Sequence, residues 1–318
     1  MHPKIQRRIN KIRLAIARPN FDELDPDLIE ALSIEPALYA KSAGLRGQQT
    51  DTSIKAHYAK TGVRRGLTAH PLQYRKGLIQ KAISAGVALE IGPFFAPSLA
   101  GPNVDYFDVK DKPSLEKLAT SLGIFGLNVP DITYVSPFGD LSVVDRQYDA
   151  VFSAHCIEHQ PDLVHHFRRV ENLLKPGASY CLAVPDMRFC FDHFSPQTSL
   201  DDILQAHDER RTNHTRENVE YHYLNRTHND KIAHWLSKHG APPSGEALAQ
   251  QRRQMDAFLE ATGDGYVDVH AWRFTPTRFL GILRELNARG LVNLVPDVVC
   301  GTPRGQFEFA AVLRKPAS

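Results

Sequence analysis

From residue 87 onward, short apolar runs alternate with segments of helix-like spacing. The apolar runs are four to nine residues long and are bounded by polar turns, which is typical of β-strands. Strands that alternate with helices indicate βαβ units and a mostly parallel sheet. The predicted strands are 87–92, 104–109, 132–135, 148–154, 179–185, 291–299 and 307–314. The sequence therefore predicts an open α/β sheet.

Two regions lack the strand pattern. Residues 1–85 carry apolar side chains at helical spacing, interrupted by prolines, which predicts a helical N-terminal extension before a sheet domain over 86–318. The segment at about 187–269 is polar and rich in histidine, and its length favours a helical insertion over a loop. It leaves the fifth strand, whose carboxyl end borders the ligand crevice of such sheets, so we expect it to form a lid.

Composition excludes several functional classes. The chain is 42% hydrophobic and 23% charged, which is ordinary for a globular protein, and its net charge of +2 does not indicate nucleic-acid binding. The basic run near the N-terminus is more consistent with a solvated helix face than with a phosphate-binding surface. The four cysteines form no CxxC pair, and no long apolar run or signal peptide is present. We expect a reducing, cytoplasmic location, no integral membrane segment and no structural zinc.

Acidic side chains recur at or near the ends of predicted strands. Glu90, Asp108, Asp140 and Asp186 accompany the first, second, third and fifth strands. A carboxylate after the second strand can accept hydrogen bonds from both hydroxyls of a ribose. Any one of these acids could instead cap a helix, but four at one sheet edge favour a nucleoside ligand.

The loop after the first predicted strand has few glycines. Gly92 is followed by Pro93, Phe94 and Phe95, so the GxGxxG pattern of dinucleotide-binding folds is absent. The P-loop pattern GxxxxGK[ST] is absent as well. These absences argue against a nicotinamide-dependent dehydrogenase and a P-loop enzyme.

Five stretches occur in a recognisable order along the chain: EIGP (90–93), VDYFD (104–108), FGDL (138–141), YDAVFSAHCIEH (148–159) and LLKPGASYCLAVPD (173–186). This order resembles the class I S-adenosylmethionine-dependent methyltransferases. It looks most like a bacterial, type 11-like methyltransferase-domain branch often associated with surface-polysaccharide biosynthesis, with its H-x-x-E-H and VPD-x-R-x-x-FD stretches. The resemblance covers about residues 86 to 315. It implies a Rossmann-like seven-stranded methyltransferase sheet with S-adenosylmethionine as the cofactor.

The resemblance also implies a set of cofactor-binding residues. The first loop would surround the methionine part of the cofactor, and Asp108 would hold the ribose. Asp140, with Leu141, would lie by the adenine, and the loop after the fourth strand would lie beneath the sulfonium. Because S-adenosylmethionine has no pyrophosphate, one glycine suffices in the first loop. The implied residues are Glu90, Gly92, Pro93, Asp108, Asp140, Leu141, Ser153, Ala154 and His155.

Methyl transfer to a hydroxyl requires removal of a proton, and histidine is the natural base near neutral pH. We predict His155, His222 and Asp186 as catalytic residues, with His159 and His270 as further candidate bases. The H-x-x-E-H stretch also matches an inverted zinc-protease motif, but no third ligand is evident in the sequence, so we expect no metal there.

Acceptor-binding residues are predicted on the carboxyl side of the fifth strand and in the insertion. Arg188 can form a bidentate contact with a phosphate or carboxylate of an acceptor; the alternative is a structural ion pair with Asp186 or Asp192. Asp192 is a further predicted acceptor-binding residue, and Tyr223 and His270, which match the branch pattern, complete the set. The resemblance implies O-methylation of a glycan or glycan-linked acceptor. The alternatives are a small-molecule (natural-product) methyltransferase and a scaffolding module that has lost catalysis.

Overall fold

A seven-stranded sheet forms the centre of the computed structural model, which describes residues 25–263, 265 and 267–317. The strand order is β3-β2-β1-β4-β5-β7-β6, and β7 runs antiparallel to both of its neighbours. The predicted Rossmann-like seven-stranded sheet is confirmed. The strands are β1 Ala88–Ile91, β2 Val104–Asp108, β3 Tyr134–Val135, β4 Tyr148–Ala154, β5 Leu174–Pro185, β6 Val295–Val299 and β7 Glu308–Arg314.

Two strands begin more than two residues away from their predicted first residues. β5 begins at Leu174, five residues early, because Leu174 already pairs with Tyr148 before a register shift; the Pro176-Gly177 turn therefore lies within this strand. β6 begins at Val295 instead of 291, because the side-chain amide of Asn287 binds the carbonyls of Val292 and Leu294 and holds that segment against the preceding helix.

Helices flank the sheet and make up most of the remaining regular structure. Several of them begin at a Ser, Thr or Asp whose side chain accepts a hydrogen bond from the first turn, as expected for helix N-caps. No helix among the described residues is long and apolar enough to span a membrane. The helices are α1 Pro26–Ile29, α2 Pro36–Ala43, α3 Asp51–His57, α4 Arg75–Ala85, α5 Lys112–Ser121, α6 Leu163–Leu173, α7 Leu200–Asp208, α8 Arg216–Leu224, α9 Lys231–Trp235, α10 Gly245–Thr262 and α11 Pro276–Ala288.

The main core joins the sheet to both ends of the described chain. Helix α6 buries Leu163, Phe167 and Val170 against the sheet, as its apolar spacing predicts. Tyr39 and Tyr58, from the region before the sheet, belong to the same buried cluster. The described part of the N-terminal region is therefore helical and packs on the sheet core. The domain boundary at residue 85 stays a prediction, and the basic run of residues 4–18 lies outside the described residues.

Gly66 fixes the contact between the N-terminal region and the loop before β7. Its carbonyl accepts a hydrogen bond from the backbone N–H of Arg304, and the side chain of Arg304 donates to the carbonyl of Arg65. The φ angle of Gly66 is 56°, and a Cβ there would lie 2.5 Å from the nitrogen of Arg304 and 2.6 Å from Trp235. This approach of two backbones requires glycine.

Helices α7 to α10 occupy the segment between residues 187 and 269. Val219, Met255, Val267 and Val269 form a small core of their own within it. The described residues of this segment contain no strand, although Asp186 at its start makes an isolated bridge with Phe274. Its helical content matches the predicted insertion; its function as a lid stays a prediction.

Candidate active site

Two carboxylates at strand ends hold the loop that follows β1. Glu90 accepts hydrogen bonds from the backbone N–H groups of Ser98 and Leu99, each at 2.8 Å. Asp108 accepts one from Phe94 at 3.0 Å and one from Lys110 at 3.3 Å. Both carboxylates are buried, and burial raises the pKa of each. Glu90 and Asp108 therefore shape the predicted cofactor loop in this structure.

The loop itself contains two residues in the left-handed region. Gly92 has φ 69°, which suits glycine, but Phe94 has φ 52°, which is rare for a bulky side chain. The rings of Phe94 and Phe95 pack against each other with centroids 4.1 Å apart. Backbone strain of this kind persists only where surrounding contacts enforce it. Here the bond from Phe94 to Asp108 is one such contact.

A cavity of about 570 Å³ lies at the carboxyl ends of β3 and β4. Asp140 and Leu141, the predicted adenine neighbours, belong to its wall; the leucine is buried, and hydrogen bonds from Ser142 lower the pKa of Asp140. The volume lies within the range of sites that bind small molecules. Further lining residues, which the sequence did not indicate, include Gln160, His165, Arg169 and Arg211.

Ser153 and Ala154 end β4, where the resemblance places them beneath the cofactor. The hydroxyl of Ser153 is buried and hydrogen-bonded at 2.7 Å to Tyr180, which also lies 3.0 Å from His166 Nε2. Ala154 is partly exposed. The serine side chain is thus committed to the core, so a contact of Ser153 with the cofactor would have to come from its backbone.

His155 follows β4 directly. Its φ angle of 52° places it in the left-handed region, and its Nε2 is 2.7 Å from Glu308 Oε2. Arg75 binds the same carboxylate. Burial raises the pKa of Glu308, but the hydrogen bonds from His155 and Arg75 outweigh it and lower the pKa to about 2. The side chain of His155 is 25% exposed, so a molecule can reach it.

Glu158 is buried at the centre of a histidine cluster. Its Oε1 lies 3.6 Å from His155 Nδ1, 3.8 Å from His159 Nε2 and 3.9 Å from His270 Nε2. Neither carboxylate oxygen accepts a hydrogen bond from a described residue. The backbone carbonyl of Glu158 accepts from Ala271 and Trp272, and this pairing brings His270 beside it.

Carboxylates contact the other nitrogen of two of these imidazoles. Asp192 Oδ2 lies 2.6 Å from His270 Nδ1, and Asp268 Oδ1 lies 2.9 Å from His159 Nδ1. Burial alone would raise the pKa of Asp192, but the charge and hydrogen bond of His270 lower it below its usual range. Burial alone would lower the pKa of His159, and the neighbouring Asp268 and Glu158 raise it instead.

His222 and Tyr223 lie on α8, next to this cluster. His222 Nδ1 accepts a hydrogen bond from the backbone N–H of His270, and burial lowers the pKa of His222 to about 3. The imidazole is therefore neutral at physiological pH. Tyr223 packs on Phe258 in the small core of the insertion. The structure thus brings His222 to the site, while the Tyr223 ring serves packing between helices.

Asp186 and Arg188 pair with each other. Asp186 Oδ1 accepts from Arg188 Nε at 2.8 Å, and Oδ2 accepts from Arg188 Nη2 and from Thr302, each at 2.5 Å. Both side chains are buried. The geometry favours the structural ion pair, which was the alternative to a catalytic Asp186 and an acceptor-binding Arg188.

Comparison with known proteins supports one family interpretation. Residues 113–182 match a family model described as a methyltransferase domain. No curated protein matches the chain. The match covers the region from α5 to β5, which includes β4 and the H-x-x-E-H stretch. This region of the chain is therefore similar to a methyltransferase domain, and S-adenosylmethionine-dependent methyl transfer is the activity that the match supports.

Several solved methyltransferase structures resemble this domain distantly. One from Methanosarcina mazei is 16% identical, with 73% of this chain and 92% of that chain covered and a TM-score of 0.35. The glycopeptide N-methyltransferase MtfA, in complex with sinefungin, is 19% identical over 35% of this chain and 54% of that chain, with a TM-score of 0.26. The amino pentose methyltransferase CalS10 from Micromonospora echinaspora is 16% identical over 34% and 48%, also with a TM-score of 0.26. This chain spans only about half the length of the last two. The TM-scores are low, and we draw no conclusion about this chain from these structures.

Of the nine residues that the resemblance implies for S-adenosylmethionine binding, Asp140 and Leu141 line the cavity of about 570 Å³, and the other seven do not. The cavity beside Asp140 and Leu141 is large enough for an adenosyl group. A Cβ added at Gly92 would meet only Cys156, at ordinary contact distances of 3.7–3.8 Å. Asp108 ends β2 and His155 follows β4. These two strands flank β1 and run parallel to it, so both residues lie at the carboxyl edge of the sheet. The individual assignments of Glu90, Gly92, Pro93, Asp108, Asp140, Leu141, Ser153, Ala154 and His155 to the cofactor stay predictions.

Three functional neighbours were missed by sequence reasoning. Glu308 comes from the last strand, 153 residues after His155, and no local pattern indicates the contact. Asp268 is likewise distant from His159 in sequence. Glu158 did carry a signal, since it is an acid between two histidines in HCIEH, but its burial without a hydrogen-bond partner is visible only in the fold.

Proposed function

We propose that this methyltransferase domain methylates an oxygen atom of a glycan or glycan-linked acceptor, with His155 as the general base. The observation that carries the proposal is the pair formed by His155 and Glu308 at the carboxyl end of β4. A hydroxyl is a poor nucleophile until its proton is removed, and a histidine oriented by a carboxylate is suited to that task. The pair therefore favours a hydroxyl acceptor.

Each residue has a defined task in this proposal. When bound, S-adenosylmethionine supplies an electrophilic methyl group on its sulfonium. Glu308 accepts the hydrogen bond from His155 Nε2–H, which leaves Nδ1 to take the acceptor proton. Asp108 and Glu90 hold the first loop, and Asp140 and Leu141 line the cavity for the adenosyl group.

Two of the predicted catalytic residues are less suited to proton removal. His222 is neutral, but its pKa of about 3 makes it a weak base. Asp186 has both oxygens occupied by Arg188 and Thr302. We therefore assign His222 and His270 to the acceptor side of the site and Asp186 to the ion pair that begins the insertion. The glycan class of the acceptor rests on the resemblance of the VPDMRFCFD and HCIEH stretches alone.

Isothermal titration calorimetry with S-adenosylmethionine tests the cofactor assignment. We expect binding by the wild type and at least tenfold weaker binding by Asp108→Asn. Asp111→Asn is the matched control, because Asp111 is an exposed cap of α5 three residues away. No binding by the wild type would favour the scaffolding alternative, and equal binding by both variants would exclude Asp108 from the cofactor site.

A mass-spectrometric screen tests the acceptor. Polysaccharide intermediates and small metabolites would be incubated with protein and S-adenosylmethionine, and a mass gain of about 14 Da reports replacement of H by CH3. We expect methylated glycan hydroxyls, with product formation lost in His155→Gln while cofactor binding is retained. Methylation of small molecules and of no glycan would support the natural-product alternative.

A further inference from the structure

The buried carboxylate of Glu158 makes no hydrogen bond within the part of the chain that the structure describes. Its side chain is fully buried, and neither oxygen accepts a hydrogen bond from a described residue. Burial of a carboxylate without a compensating partner is strongly unfavourable. In the described part of the chain, only imidazole nitrogens lie within ion-pair distance of it.

The nearby imidazoles present nitrogens that suit metal coordination. His159 and His270 direct Nε2 toward Glu158 Oε1, at 3.8 and 3.9 Å, and the three ligand atoms all lie within 4.8 Å of one another. Their Nδ1 atoms contact Asp268 and Asp192. A carboxylate on the second nitrogen of each histidine is the usual support of metal-binding imidazoles, because it fixes the ring and raises its basicity.

We propose that Glu158, His159 and His270 bind one divalent transition-metal ion such as Zn²⁺. Two imidazole nitrogens and one carboxylate are a common ligand set for such ions. Ligand atoms around tetrahedral zinc lie about 3.3 Å apart. The two distances from Glu158 Oε1 to the imidazole nitrogens, 3.8 and 3.9 Å, would therefore have to shorten by about half an ångström on binding. Three protein ligands leave a coordination position for water or an acceptor oxygen.

The fold supplies what the H-x-x-E-H stretch lacked. The sequence offered no third ligand for a metal, whereas the backbone bonds from Ala271 and Trp272 to Glu158 bring His270 to the cluster. The side chain of His159 is 20% exposed, so an ion can enter from that side. The proposal does not depend on methyl transfer, because metal binding is measured directly.

A second histidine cluster provides an internal control. His193, His234 and His239 also place their nitrogens close together. However, His234 uses both ring nitrogens, one at 3.0 Å from His239 Nδ1 and the other at 3.0 Å from the carbonyl of His228. His193 Nδ1 lies 3.0 Å from the carbonyl of Arg188. These nitrogens would have to give up existing hydrogen bonds to bind an ion.

The test measures metal content and Co²⁺ absorption of the full chain. Protein stripped with a chelator is dialysed against Zn²⁺ or Co²⁺, and bound metal is counted by elemental mass spectrometry. We expect one ion per chain and, with Co²⁺, visible d–d bands typical of a low-coordinate site. Glu158→Gln and His159→Ala should each weaken binding at least tenfold, whereas His239→Ala should bind as the wild type does.

Glu158→Gln and His159→Ala test the same site independently, so one of them suffices if the other misfolds. Circular dichroism compares the fold of each variant with that of the wild type. Glu158→Gln preserves shape and removes a buried charge, and His159→Ala alters a partly exposed side chain. The proposal is wrong if the wild type retains no metal, if both variants bind as tightly as the wild type, or if His239→Ala abolishes binding.

Discussion

Glu308 Oε2 lies 2.7 Å from His155 Nε2, so the last, antiparallel strand holds a carboxylate against the loop that follows β4. Arg75, at the start of α4, binds the other side of the same carboxylate. Elements from three distant parts of the chain thus fix the orientation of one imidazole. This arrangement makes Glu308 a positioning residue for the proposed base.

Replacing Glu308 by glutamine should reduce turnover while leaving cofactor binding intact. Glutamine preserves the shape but removes the negative charge that stabilises the protonated imidazole. We expect kcat to fall by at least tenfold, on the scale of general-base effects, with KM for S-adenosylmethionine within threefold of the wild type. Steady-state kinetics with an acceptor identified by the mass-spectrometric screen would measure kcat and KM separately.

Arg75→Gln is the control for this prediction, because it alters the partly exposed partner of Glu308 and keeps the contact with His155. It should change kcat by less than Glu308→Gln does. An unchanged kcat in Glu308→Gln, or a loss of cofactor affinity equal to the loss of kcat, would contradict the positioning role.

The sequence predicted those features of the site that depend on residues close together along the chain. β4 was predicted at its observed bounds, and the strand-end acids Glu90 and Asp108 lie where the alternation of strands and helices placed them. These features depend on local periodicity and on the rule that parallel strands share one carboxyl edge. Local sequence patterns are therefore sufficient to predict the strands and the acidic residues at their ends.

The remaining contacts depend on tertiary approach. Glu308 and His270 reach His155 and Glu158 through strand pairing and a bridging segment far along the chain. No local pattern distinguishes Asp186 as one half of a buried ion pair from Asp186 as a catalytic acid; only the positions of Arg188 and Thr302 decide it. The left-handed backbone at Phe94 and His155 was equally invisible, because this conformation is uncommon for every residue type except glycine.

A second prediction concerns the buried hydroxyl of Tyr180, which joins Ser153 to His166. Tyr180→Phe should lower the free energy of unfolding by about 2–4 kcal/mol, because it leaves two buried polar groups without a partner. Urea denaturation monitored by circular dichroism measures the change. Ser153→Ala in the Tyr180→Phe background should recover part of the loss, since it removes one of the two orphaned groups. A single variant as stable as the wild type would show that these groups find other partners.

A third prediction concerns acid stability through His166, whose pKa is lowered to about 3 by burial. The folded protein keeps this imidazole neutral, whereas the unfolded chain protonates it near its ordinary pKa. Its contribution to stability is therefore full above about pH 6.5 and is lost as the pH falls toward 3, at about 1.4 kcal/mol per pH unit.

His166→Gln should reduce the loss of unfolding free energy between pH 7.5 and 5.5 by about 1 kcal/mol relative to the wild type. Glutamine can still bond to Tyr180, so the comparison isolates titration. His165→Gln, at the exposed neighbouring position, should leave the pH dependence as it is. Identical pH profiles for the wild type and His166→Gln would contradict the assignment.

The last prediction tests how the N-terminal region is attached to the sheet domain. Gly66→Ala adds a Cβ 2.5 Å from the backbone nitrogen of Arg304, at a φ of 56°. Left-handed backbone alone costs alanine about 1–2 kcal/mol, and the clash with backbone atoms adds overpacking of about 1–3 kcal/mol. Gly44→Ala is the matched control, because its φ is 69° and nothing lies within 4 Å of its Cβ. We expect Gly66→Ala to lower the midpoint of urea unfolding clearly more than Gly44→Ala does. Equal midpoints would mean that residues 65–66 and 304 are not held together in solution, and that the N-terminal region is less firmly packed on the sheet than this contact indicates.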